Sequence, residues 1–317
     1  MTRYLVTGGA GFIGSNVASA LLARGDTVRV LDNFSTGLRT NLTPLEGAEI
    51  VEGDIRSYHI VQEAMEGVDF VLHQAALPSV PRSVRDPITS NDVNVVGTLN
   101  VLTAARDAKV KRLVYAGSSS VYGRTPGLPK RESMPPSPIS PYAVSKLAGE
   151  HYCQSFTELY GFETVILRYF NVFGPRQNPK SEYAAVVPKF IHMVMHGEPP
   201  TINGDGSQTR DFTYVENVVQ ANLLAAVKEG VAGRVFNIAT GQQVALLEML
   251  HLVERLVGKK VEPFFQPRRS GDVEHSLAAI DEARTKLGYV PTVSLEEGLR
   301  RTVEAVRLEL GEGAAVA

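Results

Sequence analysis

Tyr4-Leu5-Val6-Thr7-Gly8-Gly9-Ala10-Gly11-Phe12-Ile13-Gly14 is an apolar run that ends in a glycine-rich turn, and beyond it Val17, Ala18, Leu21 and Leu22 recur at helical spacing. The stretch reads as strand, tight turn and helix. Its glycines suit a backbone that approaches a pyrophosphate closely, while the helix N-terminus offers unspent N–H donors and a positive dipole end. The second strand, Thr27-Val28-Arg29-Val30-Leu31, ends in Asp32. That position lies roughly 20 residues on, where a carboxylate can accept from the adenosine ribose hydroxyls. Its charge repels a 2′-phosphate, and Asn33 and Phe34 follow instead of an arginine. The expected cofactor is therefore NAD and not NADP.

Further strands repeat the rhythm. Glu49-Ile50-Val51-Glu52 leads to Gly53-Asp54-Ile55, Phe70-Val71-Leu72-His73 leads to Gln74-Ala75-Ala76, and Arg112-Leu113-Val114-Tyr115-Ala116 leads to Gly117-Ser118-Ser119-Ser120. Strands alternating with helices predict a parallel sheet, and in such sheets the ligand lies beyond the carboxyl ends of the strands, where all these segments fall. Ala75 and Ala76 are small enough to let a cofactor approach the chain. His73 reads as a buried core residue, because a single histidine within an apolar strand is more often hydrogen-bonded core than catalyst.

Chemistry enters with Ser140-Pro141-Tyr142-Ala143-Val144-Ser145-Lys146. Ser140 and Pro141 read as an N-cap and first-turn proline, so the i,i+4 spacing stacks the Tyr142 phenol and the Lys146 ammonium on one helix face. A tyrosine with an ordinary pKa near ~10 is a poor base at neutral pH, and a close cation is expected to pull it down towards the working range.

Composition narrows the class. A chain of 317 residues, 44% of them hydrophobic, can bury a large core. The net charge of −2, without a basic run, argues against nucleic acid or a membrane surface as partner. One cysteine, Cys153, excludes an intrachain disulfide. No stretch reaches about 18 apolar residues, and no charged and apolar leader precedes the first strand, so the expected location is cytoplasmic. No metal site is expected.

On these residues the chain resembles an extended short-chain dehydrogenase/reductase over nearly its whole length. The resemblance rests on Gly8, Gly11 and Gly14, on Asp32, Asp54 and Asn94, and on the Ser118, Tyr142, Lys146 triad, and within the superfamily it is nearest to the UDP-sugar 4-epimerases. It implies an α/β fold, a Rossmann-like doubly wound parallel sheet with a smaller α/β substrate-binding lobe. The nucleotide domain is expected over 1–172, rejoined by about 215–241 with a strand near Val235-Phe236-Asn237-Ile238. The substrate lobe takes 173–214 and 242–317. The cofactor set so implied adds Phe12, Ile13, Asn33, Ser35, Thr36, Gly37, Ile55, Gln74, Ala75, Ala76 and Tyr169 to the glycines and aspartates, with Asn94, Tyr142 and Lys146.

Residues for the substrate follow from the same matching. Asn171, in Arg168-Tyr169-Phe170-Asn171-Val172-Phe173-Gly174-Pro175-Arg176, resembles the asparagine that holds the nucleotide diphosphate, and Arg210, Arg269 and Asp272 resemble its clamp. Ala185, Val186 and Val187, with Thr201 and Asn203, look like uracil-contacting stretches. Ser79, Ser119 and Ser120 join Ser118 near the sugar. Where related dehydratases carry Thr-Asp-Glu, this chain has three serines and so no spare acid or base to expel water. Ser276, in place of a bulky gate, leaves room for a C2 N-acetyl group, although Pro78 stands where N-acetyl-preferring relatives tend to have glycine. The expected reaction is NAD-dependent interconversion of UDP-glucose and UDP-galactose, and of their N-acetylated forms, by transient oxidation at C4. A UDP-glucuronate 4-epimerase, a net nucleotide-sugar dehydrogenase and a non-catalytic sensor are the alternatives, and a homodimer is the expected assembly.

Overall fold

The computed structural model describes residues 1–179, 185–267 and 274–311. Along the chain run β1 (Arg3–Thr7), α1 (Phe12–Ala23), β2 (Thr27–Asp32), β3 (Glu49–Glu52), α2 (Tyr58–Ala64) and β4 (Phe70–His73). Next come α3 (Val80–Arg85), α4 (Pro87–Asn91), α5 (Gly97–Asp107), β5 (Arg112–Ser118), α6 (Pro141–Tyr160) and β6 (Glu163–Tyr169). Short strands β7 (Val172–Phe173), β8 (Thr201–Asn203), β9 (Thr209–Arg210) and β10 (Thr213–Tyr214) flank α7 (Val186–His196), and α8 (Val215–Val227) leads to β11 (Val235–Ile238). The last elements are β12 (Val244–Ala245), α9 (Leu246–Val257), β13 (Phe264–Gln266) and α10 (Leu295–Glu309).

Seven strands form one sheet in the order β11-β6-β5-β4-β1-β2-β3, and every pairing in it is parallel. The expected doubly wound sheet is present, and Val235–Ile238 rejoins it beside β6. Alternation explains why both faces are covered. Val6, Val30, Leu72 and Val114 pack with α1 and α8 on one side, while Leu5, Leu31, Val71 and Leu113 pack with α5 and α6 on the other. Each such fully buried side chain contributes about 1.5–3 kcal/mol against exposure. A third cluster gathers Phe173, Phe190, Ile191, Phe212, Met249, Leu250 and Leu299 from the segments outside the sheet.

The chain moves outward from β1 to β3 on one side and from β4 to β11 on the other, so the order reverses between β1 and β4. A crevice opens at such a reversal, beyond the carboxyl ends of the strands. Register brings Thr7 level with His73 and with Leu31, the residue before Asp32, and Ser118 level with Tyr169. Among the described residues no helix is long and apolar enough to cross a membrane.

Candidate active site

The turn after β1 is held by sterics. Gly8 has φ +70°, and a Cβ there would lie 2.7 Å from the Ala75 Cα. Its carbonyl oxygen accepts the Gly11 N–H at 3.0 Å. A Cβ on Gly14 would come within 2.1 Å of that same oxygen, so α1 can leave the turn only without a side chain at that position. No side chain caps the helix at Gly11, which leaves the first-turn N–H groups for an anion.

Asp32 closes β2 with 8% of its surface exposed. Its carboxylate accepts Ala10 N–H at 2.9 Å and Phe34 N–H at 2.8 Å. Burial raises its pKa, and those two N–H bonds oppose the rise. Beside it the Asp54 carboxylate accepts Asn33 Nδ2 at 2.8 Å and two nitrogens of the Arg56 fork at 3.0 and 2.8 Å. The Arg56 hydrogen bonds pull its pKa down to about 2. Gln74 is fixed by Asn222 at 2.9 Å and by the Tyr169 hydroxyl at 3.2 Å, and burial pushes that phenol up to about 12.

At the other end of the crevice, α6 starts as expected. Ser140 Oγ accepts Ala143 N–H at 3.2 Å, Pro141 occupies the first turn, and Ser83 Oγ accepts the Tyr142 N–H at 3.0 Å. Ser118 acts on the Tyr142 phenol, lowering its pKa against the rise that burial causes. Ser118 Oγ also lies 2.8 Å from Ser120 Oγ. Lys146, 4% exposed, donates to the Ala116 carbonyl oxygen at 3.0 Å. Burial lowers its pKa to about 8.

One expectation is corrected here. Burial raises the Tyr142 pKa, with only Ser118 acting against it, and the Lys146 ammonium is turned to a backbone carbonyl. The spacing places both groups on one face but does not by itself create a lowered phenol.

All the expected cofactor residues except Asn94 line a single cavity of about 660 Å³. Asn94 lies behind the wall, its side chain bonded to both backbone groups of Leu77 at 2.7 and 3.3 Å and to Ser145 Oγ at 3.0 Å. It ties the loop at Leu77 to α6.

The substrate set is more dispersed. Of these residues Ala185 lines the cavity. Asn171, at φ +34°, donates to the Asp211 carbonyl at 3.2 Å, and Arg210 donates to the carbonyls of Thr209 and Glu274 at 2.9 Å. Ser276 N–H bonds Thr209 O at 3.1 Å, so Arg210 and Ser276 meet at one edge. Asp211 knits this edge together by accepting from Thr240, Gly241 and Ala278. Val186 opens α7, Thr201 and Asn203 sit on β8 beside β13, Ser79 caps α3 through Arg82 N–H, and Ser119 begins the turn after Ser118. The Val187 side chain is taken up by the third core cluster. Arg269 and Asp272 lie outside the described residues.

Sequence reasoning gave no role to Phe34, Asn41, Arg82, Arg176 or Gln177, which also line the cavity. Arg176 adopts φ +71° and donates to Ser15 O at 2.8 Å, so the turn after Gly174-Pro175 is fastened to α1. Its position one residue past that joint was the available signal.

The wall fits a dinucleotide on its own terms: uncapped helix donors and a glycine turn at the centre, a carboxylate for ribose at one end, and the Tyr142–Lys146 pair at the other. Comparison with known proteins agrees. Residues 4–239 match the family described as "NAD dependent epimerase/dehydratase family". The chain is similar to the UDP-glucose 4-epimerase of Mycolicibacterium smegmatis, 41% identical, with 96% of this chain and 98% of that protein covered. It superposes on the UDP-glucose 4-epimerase of Thermotoga maritima solved with UDP-glucose at a TM-score of 0.93 and 39% identity, covering 98% of this chain and 100% of that one. The UDP-N-acetylglucosamine 4-epimerase of Methanobrevibacter ruminantium, in complex with UDP-N-acetylmuramic acid, gives a TM-score of 0.93 at 38% identity, covering 97% and 99%.

Proposed function

Because this chain belongs to the NAD dependent epimerase/dehydratase family, we propose that it is an isomerase, a UDP-sugar 4-epimerase acting on the glucose/galactose pair and on its N-acetylated counterpart. The observation that carries the reading is a dinucleotide-shaped cavity lined at its reaction end by Tyr142 and by Lys146, one turn further along α6.

The glycine turn, Asp32, Tyr142 and Lys146, which line the cavity, would hold NAD, and NAD would supply reversible hydride acceptance at sugar C4. Tyr142 takes the C4 hydroxyl proton as the C–H bond breaks and gives it back when the other face of the 4-keto sugar is reduced. Ser118 lowers the phenol's cost of ionisation. Lys146, with a pKa near the working range, supplies positive charge beneath it. Asp32 binds the adenosine ribose through the acceptor capacity its two N–H bonds leave over. Ser118, Ser119 and Ser120 offer hydroxyls and no carboxyl, which suits reversible oxidation and not elimination. Arg210 and Asn171 are assigned to the nucleotide diphosphate, with Arg269 and Asp272.

The small Ser276 and Ala185 support tolerance of an N-acetyl group. Assembly as a homodimer in the cytoplasm and the division into a nucleotide domain and a substrate lobe remain part of this proposal. Purified protein incubated with UDP-glucose and with UDP-N-acetylglucosamine, without added cofactor, and followed by proton NMR tests it. Galacto isomers of both support the reading, isomer from UDP-glucose alone restricts it, and none with or without added NAD refutes it.

A further inference from the structure

Resting on that reading, we propose that Arg168 and Glu150 are positioning residues that act through Tyr122 to hold Ser118 against Tyr142. Glu150 follows Tyr142 and Lys146 at successive i+4 steps, on the same face of α6. Its carboxylate accepts Arg168 Nε at 3.0 Å, with a second, shorter bond from Nη2, and both side chains are 3% exposed. Arg168 lies on β6 opposite Gly117, the residue before Ser118.

The guanidinium lies over the ring of Tyr122, 4.7 Å from its centroid. Tyr122 is the last residue of the single turn Ser119–Tyr122, and that turn is capped by Ser118, whose Oγ accepts Ser120 N–H at 3.2 Å. The Tyr122 hydroxyl donates to Asn237 Oδ1 at 2.7 Å, and Asn237 is in turn bonded to Lys130 O and Ala279 O. The turn cannot slide past its end. Gly123 has φ +44°, a Cβ there would meet Ser137 O at 1.9 Å, and Ser137 N–H bonds Val121 O at 3.0 Å.

These contacts form a continuous chain. From Tyr142 it runs along α6 to Glu150, across to Arg168, over Tyr122 and back through the turn to Ser118, the residue that acts on the Tyr142 phenol. A buried ion pair is a weak source of stability, since desolvation offsets the attraction and an apolar pair of similar volume often does as well. Here Arg168 also keeps Nη1 buried without a hydrogen-bond partner, which costs further. What an apolar pair lacks is a planar cation fixed by a fork and laid on the Tyr122 ring. The pair therefore acts on geometry more than on stability.

The test is a cycle in which Arg168→Met plus Glu150→Leu is measured with and without Ser118→Ala, reading kcat, KM and melting temperature. With Ser118 present, kcat is expected to fall on the order of 10²-fold, the scale of a misplaced catalytic group, while KM stays within about twofold. In the Ser118→Ala background the same pair should cost less than about twofold more, the non-additivity of residues that share one route. An unchanged kcat in the folded pair variant, or equal losses in both backgrounds, overturns the inference. Should the pair variant not fold, Arg168→Lys keeps the charge but loses the planar fork. A fall in kcat at unchanged melting temperature then supports the role, and an unchanged kcat removes it. A wild-type chain without any epimerisation refutes the functional reading, and this role with it.

Discussion

Lys146 donates to the carbonyl oxygen of Ala116 at 3.0 Å, so the ammonium that belongs to the reaction end is anchored to the strand that carries Ser118. Burial lowers its pKa to about 8. A lysine whose folded pKa lies below its unfolded value near ~10.4 binds fewer protons folded than unfolded across that window. Its contribution to stability is therefore complete above the unfolded value and is lost as pH falls through about 8.

Lys146→Met removes this dependence. Urea unfolding at pH 7, 8.5 and 10 should show the variant gaining on the wild type most at pH 7 and least at pH 10, by at most about 1.4 kcal/mol per pH unit. A difference independent of pH would mean that Lys146 is not held with a depressed pKa.

Asp32→Asn exchanges a charged acceptor for an amide whose NH₂ or oxygen must face the Ala10 and Phe34 N–H groups. Loss of co-purified NAD is expected, together with at least about a tenfold drop in the preference for NAD over NADP, worth about 1.4 kcal/mol. Titration of the stripped protein with each cofactor measures the ratio. Preference kept at the wild-type level would remove Asp32 as its determinant.

Gly14→Ala puts a methyl group 2.1 Å from Gly8 O, a backbone atom that cannot give way without opening the turn. A loss on the order of 3 kcal/mol is expected from such overpacking, and NAD content should fall with it. Thermal melting with acid-released NAD quantified in parallel checks both. A variant that melts and loads like the wild type contradicts the rigid turn.

Ser276→Tyr narrows the sugar pocket if Ser276 stands beside the C2 substituent. Turnover of UDP-N-acetylglucosamine should then fall by about tenfold or more while UDP-glucose is little affected, a steric discrimination of the size a filled pocket gives. Equal losses on both sugars would place Ser276 away from C2.

How much was legible follows from what each residue depends on. The glycine turn, Asp32 and the Ser140-Pro141 helix start are set by local backbone chemistry and period, and all three stand where the sequence puts them. Asn94 is bonded to Leu77 and Ser145, partners of a mid-helix amide that tertiary packing decides and the sequence does not announce. For Arg176 the Gly174-Pro175 joint was the only signal, and its reach to Ser15 depends on the left-handed turn that follows. The lowered phenol expected of Tyr142 failed because spacing reports proximity, whereas pKa also depends on burial, which raises it.

The central claim is that hydride leaves and returns to the same sugar carbon within one bound cofactor, with Tyr142 moving the proton. Wild-type protein incubated with UDP-glucose deuterated at C4, without added NAD, and analysed by proton NMR tests it directly. The account predicts UDP-galactose that keeps the deuterium at C4, and a rate reduced by about 10²–10⁴-fold in Tyr142→Phe at unchanged melting temperature. Product that has exchanged its C4 deuterium for solvent hydrogen, or a Tyr142→Phe variant with undiminished turnover, would contradict it.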